Sequence, residues 1–537
     1  MNKIKKLFLF ETPKTDNEFI LENKLSGIRY DVRKEYNNTV KNVYNDYEKN
    51  LAYVEKRFSV PKNNDVVIRK IKIFKNIKAF LVFYDGMVNS DLVDQSIIET
   101  LLEIPQFSED AWENDILETL VSHCQAMEVS EFEQIIDDVN FGSVGLFIDK
   151  IPVAFSLDVR NWGHRGIDKP EIEQSIYGPQ EAFNEMLRNS SALVRKTLKT
   201  EKLICEGVKI GKVSRTRGVL MYISDIANND LINEVKRRID AISIDYVIAI
   251  EEIAHMLEDK TYMITNHTLA TERPDRVAKA LAEGRVALII NGSPKALIFP
   301  TNAFELMHSI ADAYMRFPYA NMTRILRIFA MFICVLLPAL YLAITLYHQE
   351  MIPTFLVFSI SAARENVPFP SIIELLIMNF SFELIREAGI RMPGPIGSTL
   401  GIVGGLILGQ AAVSAKIVSP LMIIIIAITG IGSFAITDYS LEWSYRILRL
   451  IFIILAATLG FYGIAIGIFL YSVMLGAQKS FGVPFLAPLT SSKKGSISHS
   501  VFVSPIWKNE NRSDYLGTKD DVQEPKISRK WKINKRK

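Results

Sequence analysis

The stretch PFPSIIELLIMNFSFELIREAGIRMPGPIGSTLGIVGGLILGQAAVSA, Pro368 to Ala415, decides how the rest of the chain is read. Pro368 to Pro370 blocks helix continuation and presets the entry of a new segment. An apolar helix follows, Ser371 to Ile390, and carries Glu374, Glu383, Arg386 and Glu387. A turn from Pro393 to Pro395 then leads into a charge-free, glycine-rich run that ends at Ala415 and contains Gln410. Ionisable groups in so apolar a segment are costly, and they face a bundle interior or a water path. Glu383 and Glu387 lie four apart and share a helix face, and Arg386 stands at the spacing that pairs it with Glu383. Two readings stay open for these groups. One is an internal salt bridge that locks helix packing; the other is a pore or gate built from Glu374, Glu383, Arg386, Glu387, Gln410, Pro393 and Pro395.

The flanks of this stretch read as membrane spans. Ile328 to Tyr347 is twenty residues without a charge, enough to cross a hydrocarbon core of ~30 Å. Arg316, Arg324 and Arg327 precede it and place its N-terminal end in the cytosol, and Pro338 predicts a kink. Pro353 to Ala363 is too short to span and reads as interfacial or re-entrant. Ser371 to Ile390 then returns, Gly397 to Ala415 goes out, and Ile417 to Thr437 comes back. Gly401, Gly404, Gly405 and Gly409 recur near helical spacing and predict tight packing, with flexible gating as the alternative. Asp438, Glu442, Arg446 and Arg449 are read as cytosolic, ahead of the charge-free run Leu450 to Gln478. As one span that run exports the tail; broken near Gly460 to Gly467 it keeps the tail inside, so the total is four to six spans. The basic ending KISRKWKINKRK, residues 526–537, favours a cytosolic tail drawn to anionic lipid.

The first 320 or so residues are charge-rich and ordinary, and a chain of 537 residues suggests two or three domains. KAFLVFYDGMVNSDLVDQ (Lys78 to Gln95) aligns without gaps on RGVLMYISDIANNDLINE (Arg217 to Glu234), and VGLFIDKIP (Val144 to Pro152) on VALIINGSP (Val286 to Pro294). Two matches in the same order predict an internal duplication, each copy a strand-helix-strand-hairpin lobe. The expected organisation is an α/β duplicated two-lobe N-terminal cytosolic domain plus a C-terminal all-α polytopic transmembrane bundle. Its segments are a polar and helical lead-in (1–57), a first lobe with connector (58–199), a second lobe (200–320), the transmembrane domain (321–480) and the basic tail (481–537). The connector is expected to hold a helix starting at Gly178-Pro179. Two lobes so joined invite a ligand cleft between them or act as assembly scaffolds. Cys124, Cys205 and Cys334 are scattered, without zinc or disulfide spacing, which fits a reducing environment. The net charge of +2 implies nothing about nucleic acid, and no nucleic-acid partner is expected. The N-terminus, with Glu11 closing its short apolar run, fails as a secretory signal. His123-Cys124 reads as a structural pair, and the loop Ser156 to Pro170, with Asp158, Arg160, His164 and Arg165, as an interface. No acid, base, nucleophile or metal set converges, so neither enzyme nor cofactor is expected.

PFPSIIELLIMNFSFELIREAGIRMPGPIG with GGLILGQAAVSAKIVSPLMI resembles the signature block of the GerA-type spore germination proteins, the A subunits of nutrient receptors and their paralogues. TERPDRVAKALAEGRVALIINGSPKALIFP (Thr271 to Pro300) and LLPALYLAITLYHQEMIPTFLVFSISAARENVPFP (Leu336 to Pro370) resemble the same family, and the likeness runs from about Tyr53 to about Leu486. The resemblance implies a spore inner-membrane protein with a polytopic B subunit, a lipoprotein C subunit and further A subunits as partners. It implies a part in converting a nutrient signal into germination, through an oligomeric nutrient-gated ion channel. Within it, Pro368 to Pro370, Glu383, Arg386, Glu387, Pro393 and Pro395 match the characteristic segment and are the residues expected in gating or conduction. Two alternatives remain: an accessory paralogue acting with the dipicolinate-release machinery, and an unrelated ion or solute permease.

Overall fold

The computed structural model describes residues 21, 42–73, 77–103, 125–160, 169–261, 263–391, 395–489 and 501–523. Two five-stranded sheets form the N-terminal half. The first contains β1 (Val66–Ile73), β2 (Ile77–Tyr84), β3 (Gln125–Val129), β4 (Val144–Ile148) and β5 (Ala154–Asp158), in the order β1-β2-β4-β5-β3. The second contains β6 (Leu203–Ile210), β7 (Thr216–Ile223), β8 (Leu269–Thr271), β9 (Val286–Ile290) and β10 (Ala296–Phe299), in the order β6-β7-β9-β10-β8. The identical orders are the duplication in three dimensions, since the two gapless sequence matches fall on β2 with β7 and on β4 with β9. Every pairing is antiparallel. The expected α/β label is therefore refined to antiparallel sheets: β1-β2, β4-β5, β6-β7 and β9-β10 are hairpins, while the central neighbours β2-β4 and β7-β9 are joined through helices and an edge strand.

Helices complete each lobe. In the first, α1 (Tyr47–Arg57) is capped by Asp46, whose side chain accepts from the Glu48 and Lys49 amides, and α2 (Phe132–Phe141) ends at left-handed Gly142. In the second, α3 (Leu187–Thr197), α4 (Asn229–Asp240), α5 (Ile250–Leu257) and α6 (Pro274–Ala282) surround the sheet. α1 and α3 are eleven residues each and stand before the first hairpin of their lobes. The connector helix is therefore the opening element of the second copy. It begins at Leu187 rather than at Gly178, since the chain from Lys169 to Met186 is irregular and bends repeatedly, with Gly178 itself at φ 88°. In the first copy Asn89 caps the helix after β2, its side chain accepting from the Asp91 and Leu92 amides.

Strand alternation sorts the cores. Phe80, Val82 and Tyr84 face α1 and α2, while Ala79, Leu81 and Phe83 face the opposite side. In the second lobe Leu220 and Tyr222 pack under α4 and α5, and Met221 and Ile223 under α3 and α6. This last core does not stop at the lobe. It runs without a break through Leu306 into Met331, Cys334 and Val335, and on to Leu448 and Phe452 of the helical half.

That half comprises α7 (Phe317–Tyr347), α8 (Thr354–Arg364), α9 (Ser371–Arg391), α10 (Pro395–Ser414), α11 (Pro420–Phe434), α12 (Tyr439–Leu459) and α13 (Phe461–Gly476). Among the described residues, α7 is the one helix both long and apolar enough to cross a membrane. It starts eleven residues before the charge-free run, so Arg324 and Arg327 lie inside it. α8, α11 and α13 are apolar but shorter, and α9 and α12 carry charges. The run Leu450 to Gln478 is broken at Gly460 (φ 60°), which separates α12 from α13. Gly404, Gly405 and Gly409 of α10 need no special approach: a Cβ on Gly404 would meet Ile385 at 3.9 Å, one on Gly409 Ile423 at 3.6 Å, and one on Gly405 nothing within 4 Å. The close contacts lie elsewhere, as at Gly467, where a Cβ would come within 2.7 Å of Phe452.

The tail returns to the second lobe. Tyr515 and Leu516 join its core, the Arg512 Nε donates to the Ala282 carbonyl at 2.9 Å, and the Lys519 Nζ donates to Ser224 O at 2.6 Å. Asn321 of α7 exchanges two hydrogen bonds with Val503. The tail thus joins the second lobe to the start of α7.

Candidate functional site

Charges from α9 and α12 meet a hydroxyl of α11 where the three helices pack together. Glu442, Arg446 and Arg449 recur at spacings of four and three along α12, which puts them on one stripe. That stripe faces Glu383 and Arg386 of α9. The Arg449 Nη2 donates to Glu383 at 2.6 Å, and Arg446 lies 3.5 Å from the other oxygen of Glu383. The Glu442 carboxylate accepts from both Arg446, at 2.9 Å, and Arg386. Arg386 also donates to Ser433 of α11. The three guanidinium groups are nearly fully buried, Arg449 at 1% exposure. Arg446 stacks 4.4 Å over Trp443, and Arg386 4.9 Å over Phe434, where the ring faces offset part of the lost hydration.

The expected Glu383–Arg386 pair is therefore not made. A pair within one helix contributes ~0.2–0.5 kcal/mol, whereas charge-assisted bonds away from water are stronger, and both side chains reach across to α12 and α11. Glu387 is not in the cluster. It is solvent-facing and pairs with Arg391 at 2.8 Å. Gln410 is exposed on α10, Pro395 opens α10, and Pro393 lies outside the described residues. Glu374 is fully buried but at the other end of α9, where one oxygen accepts from the amide of Ser419 at 2.6 Å and its hydroxyl at 2.5 Å. Ser419 also caps α11, so that carboxylate staples the starts of two helices. Glu442, Arg446 and Arg449 are the residues that sequence reasoning did not assign to the site, although their stripe spacing was visible.

Three guanidinium groups face two carboxylates, a surplus of one positive charge. No general base stands free, because both carboxylates are held by arginines. No group of three or more potential metal ligands occurs among the described residues.

At the junction of the lobes, where a ligand cleft was one expectation, Arg195 is buried. Its Nη2 donates to Asp65 at 2.8 Å, to Asn63 at 3.1 Å and to the Leu203 carbonyl at 2.9 Å, and its plane stacks 3.9 Å over Tyr84. Asp158 pairs with Arg160, while His164, Arg165, His123 and Cys124 lie outside the described residues.

A second polar feature lies at the base of the second lobe, where the segment after β10 leads into α7. Arg324 and Arg327 both reach buried Asp312, at 3.1 Å and 2.9 Å. His308 sits beside them, partly open to a cavity. Burial first, then the charges of Arg324, Lys279, Arg327 and Arg276, hold its imidazole well below its ordinary value. The carboxylates Glu305, Glu283 and Asp312 are engaged by arginines. A depressed histidine is neutral in the fold and binds its proton near pH 6.5 when unfolded, so its contribution is complete above that value. It is lost as pH falls through the window towards the folded pKa. Acid titration of thermal unfolding is expected to show stability falling below about pH 6.5, by at most about 1.4 kcal/mol per pH unit. His308→Asn should remove that slope.

The chain thus combines two duplicated antiparallel lobes with a helical half that holds a buried ion cluster, and the second lobe shares one core with that half. The sequence comparisons identify the family: the chain matches the model for the Bacillus/Clostridium GerA spore germination protein over residues 52–515, and it belongs to that family. It is 36% identical over 483 residues to spore germination protein KA of Bacillus subtilis strain 168, covering 90% of this chain and 88% of the relative. It is also 36% identical over 449 residues to the uncharacterized membrane protein YfkQ of the same strain, covering 84% and 87%. Among solved structures, the N-terminal domain of the A subunit of the Bacillus megaterium spore germinant receptor GerK3 matches at 28% identity with a TM-score of 0.37. That match covers 48% of this chain and 96% of that domain.

Proposed function

We propose that this chain is the A subunit of a multi-subunit germinant receptor in the spore inner membrane, with the lobes and tail on the core side. It helps convert nutrient sensing into germination as part of an oligomeric, nutrient-gated ion channel, alongside a polytopic B subunit and a lipoprotein C subunit. Family membership supports the role in germination. The observation that carries the coupling role is the unbroken core from β9 and β10 through α7 to α12, which joins the second lobe to the Glu383–Arg449 cluster. A shift of the lobe against α7 is felt at the ion pairs through packed side chains, without a hinge between them. The cluster's part is positional: it holds α9 against α12 in one of two arrangements.

The test is germination of spores lacking this chain, scored as dipicolinate release against single nutrients. Loss of response to one nutrient or one defined mixture, with other triggers intact, is the expected result. Uniform slowing with every nutrient would overturn the receptor assignment in favour of an accessory paralogue. The similarity to YfkQ, whose name carries no germination role, makes that second outcome a specific alternative.

A further inference from the structure

A half-open cavity of about 170 Å³ lies where four parts of the chain converge: α6, the segment after β10, the start of α7 and the returning tail. By the same measure one water needs about 10–15 Å³, so the space admits a small molecule or a lipid headgroup. Its charged lining is Arg276, Lys279, Arg285 and Arg324 against Glu283 and Glu305. Three of the four cations are already engaged. Arg276 pairs with Glu173 at 2.7 Å and donates to two backbone carbonyls, Arg285 pairs with Glu305, and Arg324 pairs with Asp312. Lys279 makes no ion pair or hydrogen bond among the described residues, and its position on α6 is solvent-facing. The Arg285 Nε, on a side chain only 1% exposed, has no hydrogen-bond acceptor there, the nearest carboxylate oxygen of Glu283 being 3.6 Å away. His308 lines the same cavity, where burial first, and then the charges of Arg324, Lys279, Arg327 and Arg276, hold its imidazole well below its ordinary value.

We infer that this cavity is a binding site for a small anion carrying phosphate or carboxylate oxygens. Lys279 is the unspent charge, Arg285 and Arg324 supply oriented donors, and the Tyr515 hydroxyl closes the tail side. Tyr515 is already fixed, since its oxygen accepts from Asn302 at 2.9 Å and from Arg285 at 3.2 Å. Guanidinium and ammonium donors around one space suit an oxyanion better than a cation or an apolar ligand. A bound anion would contact the lobe, α7 and the tail together, and so would fix their mutual arrangement. The inference stands on the cavity alone and does not depend on the receptor reading. The same oxyanion chemistry comes from a soluble phosphate or from an anionic lipid headgroup at the foot of α7.

The test uses the full-length protein. Its thermal midpoint is followed in detergent as inorganic phosphate replaces chloride at constant ionic strength, and in phosphatidylcholine nanodiscs with and without phosphatidylglycerol. A saturable rise in midpoint is expected in at least one arm. Lys279→Glu should weaken the apparent affinity about tenfold or more, the loss of one charge-assisted contact, and Lys279→Gln by less. A response to free phosphate identifies a soluble anion; a response confined to phosphatidylglycerol identifies the lipid. No saturable rise in either arm, or an equal rise in wild type and both variants, would overturn the assignment.

Discussion

Glu442→Leu is expected to be the most damaging single change in the helical half. Its carboxylate is the shared acceptor for Arg386 and Arg446. Without it three buried guanidinium groups would face Glu383 alone. Removing one partner of a buried pair destabilises by about 3–5 kcal/mol, and here two cations lose their partner at once. Arg449→Met should be milder, although Arg449 is the most buried of the set, because Arg446 already stands 3.5 Å from Glu383 and the charges then balance two against two. Thermal unfolding of the detergent-solubilised variants checks the order: Glu442→Leu lowest, Arg449→Met between it and wild type. Equal midpoints for the two would show that charge balance does not govern this cluster.

Arg195→Met is expected to part the two lobes. The side chain is 3% exposed, and it holds Asp65 and Asn63 at the threshold of the first lobe's β1 to the Leu203 carbonyl at the start of β6. Methionine fills much of the volume but leaves the Asp65 carboxylate without its cation, a loss of about 3–5 kcal/mol, while the Leu203 carbonyl keeps only its bond from Asn63 at 3.3 Å. The lobes should then unfold in separate steps, and limited proteolysis should cut first in the connector between Lys169 and Met186. Arg195→Lys should rescue only in part, because an ammonium cannot present the fork that reaches Asp65, Asn63 and Leu203 together. One cooperative transition in Arg195→Met would mean that the lobes are held by other contacts.

The strands were legible and their helical covers less so, for a physical reason. β2 and β7 are buried on both faces, so nearly every residue is constrained and the copies stay alignable at Leu81 and Leu220. α1 and α3 keep only a stripe. Val54 has Val194 as its counterpart, but buried Leu51 meets buried Ser191, and the match falls below notice. At the ion cluster, sequence exposed the charged positions on α9 and their improbability in so apolar a segment. It could not show the choice of partner, because spacing within one helix reveals only neighbours on that helix. The cross-helix pairing of Arg386 with Glu442 depends on how α9 and α12 turn towards each other. The cavity at the base of the second lobe was hidden for the same reason, since Lys279 and Tyr515 are more than two hundred residues apart.

The two copies of the duplicated lobe do not live under the same constraints. The second is bound on one side into the helical core and on the other by the tail, through Arg512, Tyr515 and Lys519. A substitution there disturbs neighbours far along the chain. The first meets its sister through the Arg195 junction and contacts around it. In evolutionary terms the second copy is committed to its place, while the first is free to vary its outer surface. Sequence differences among members of this family are therefore expected to accumulate on the first copy, with the second preserved as the fixed mount.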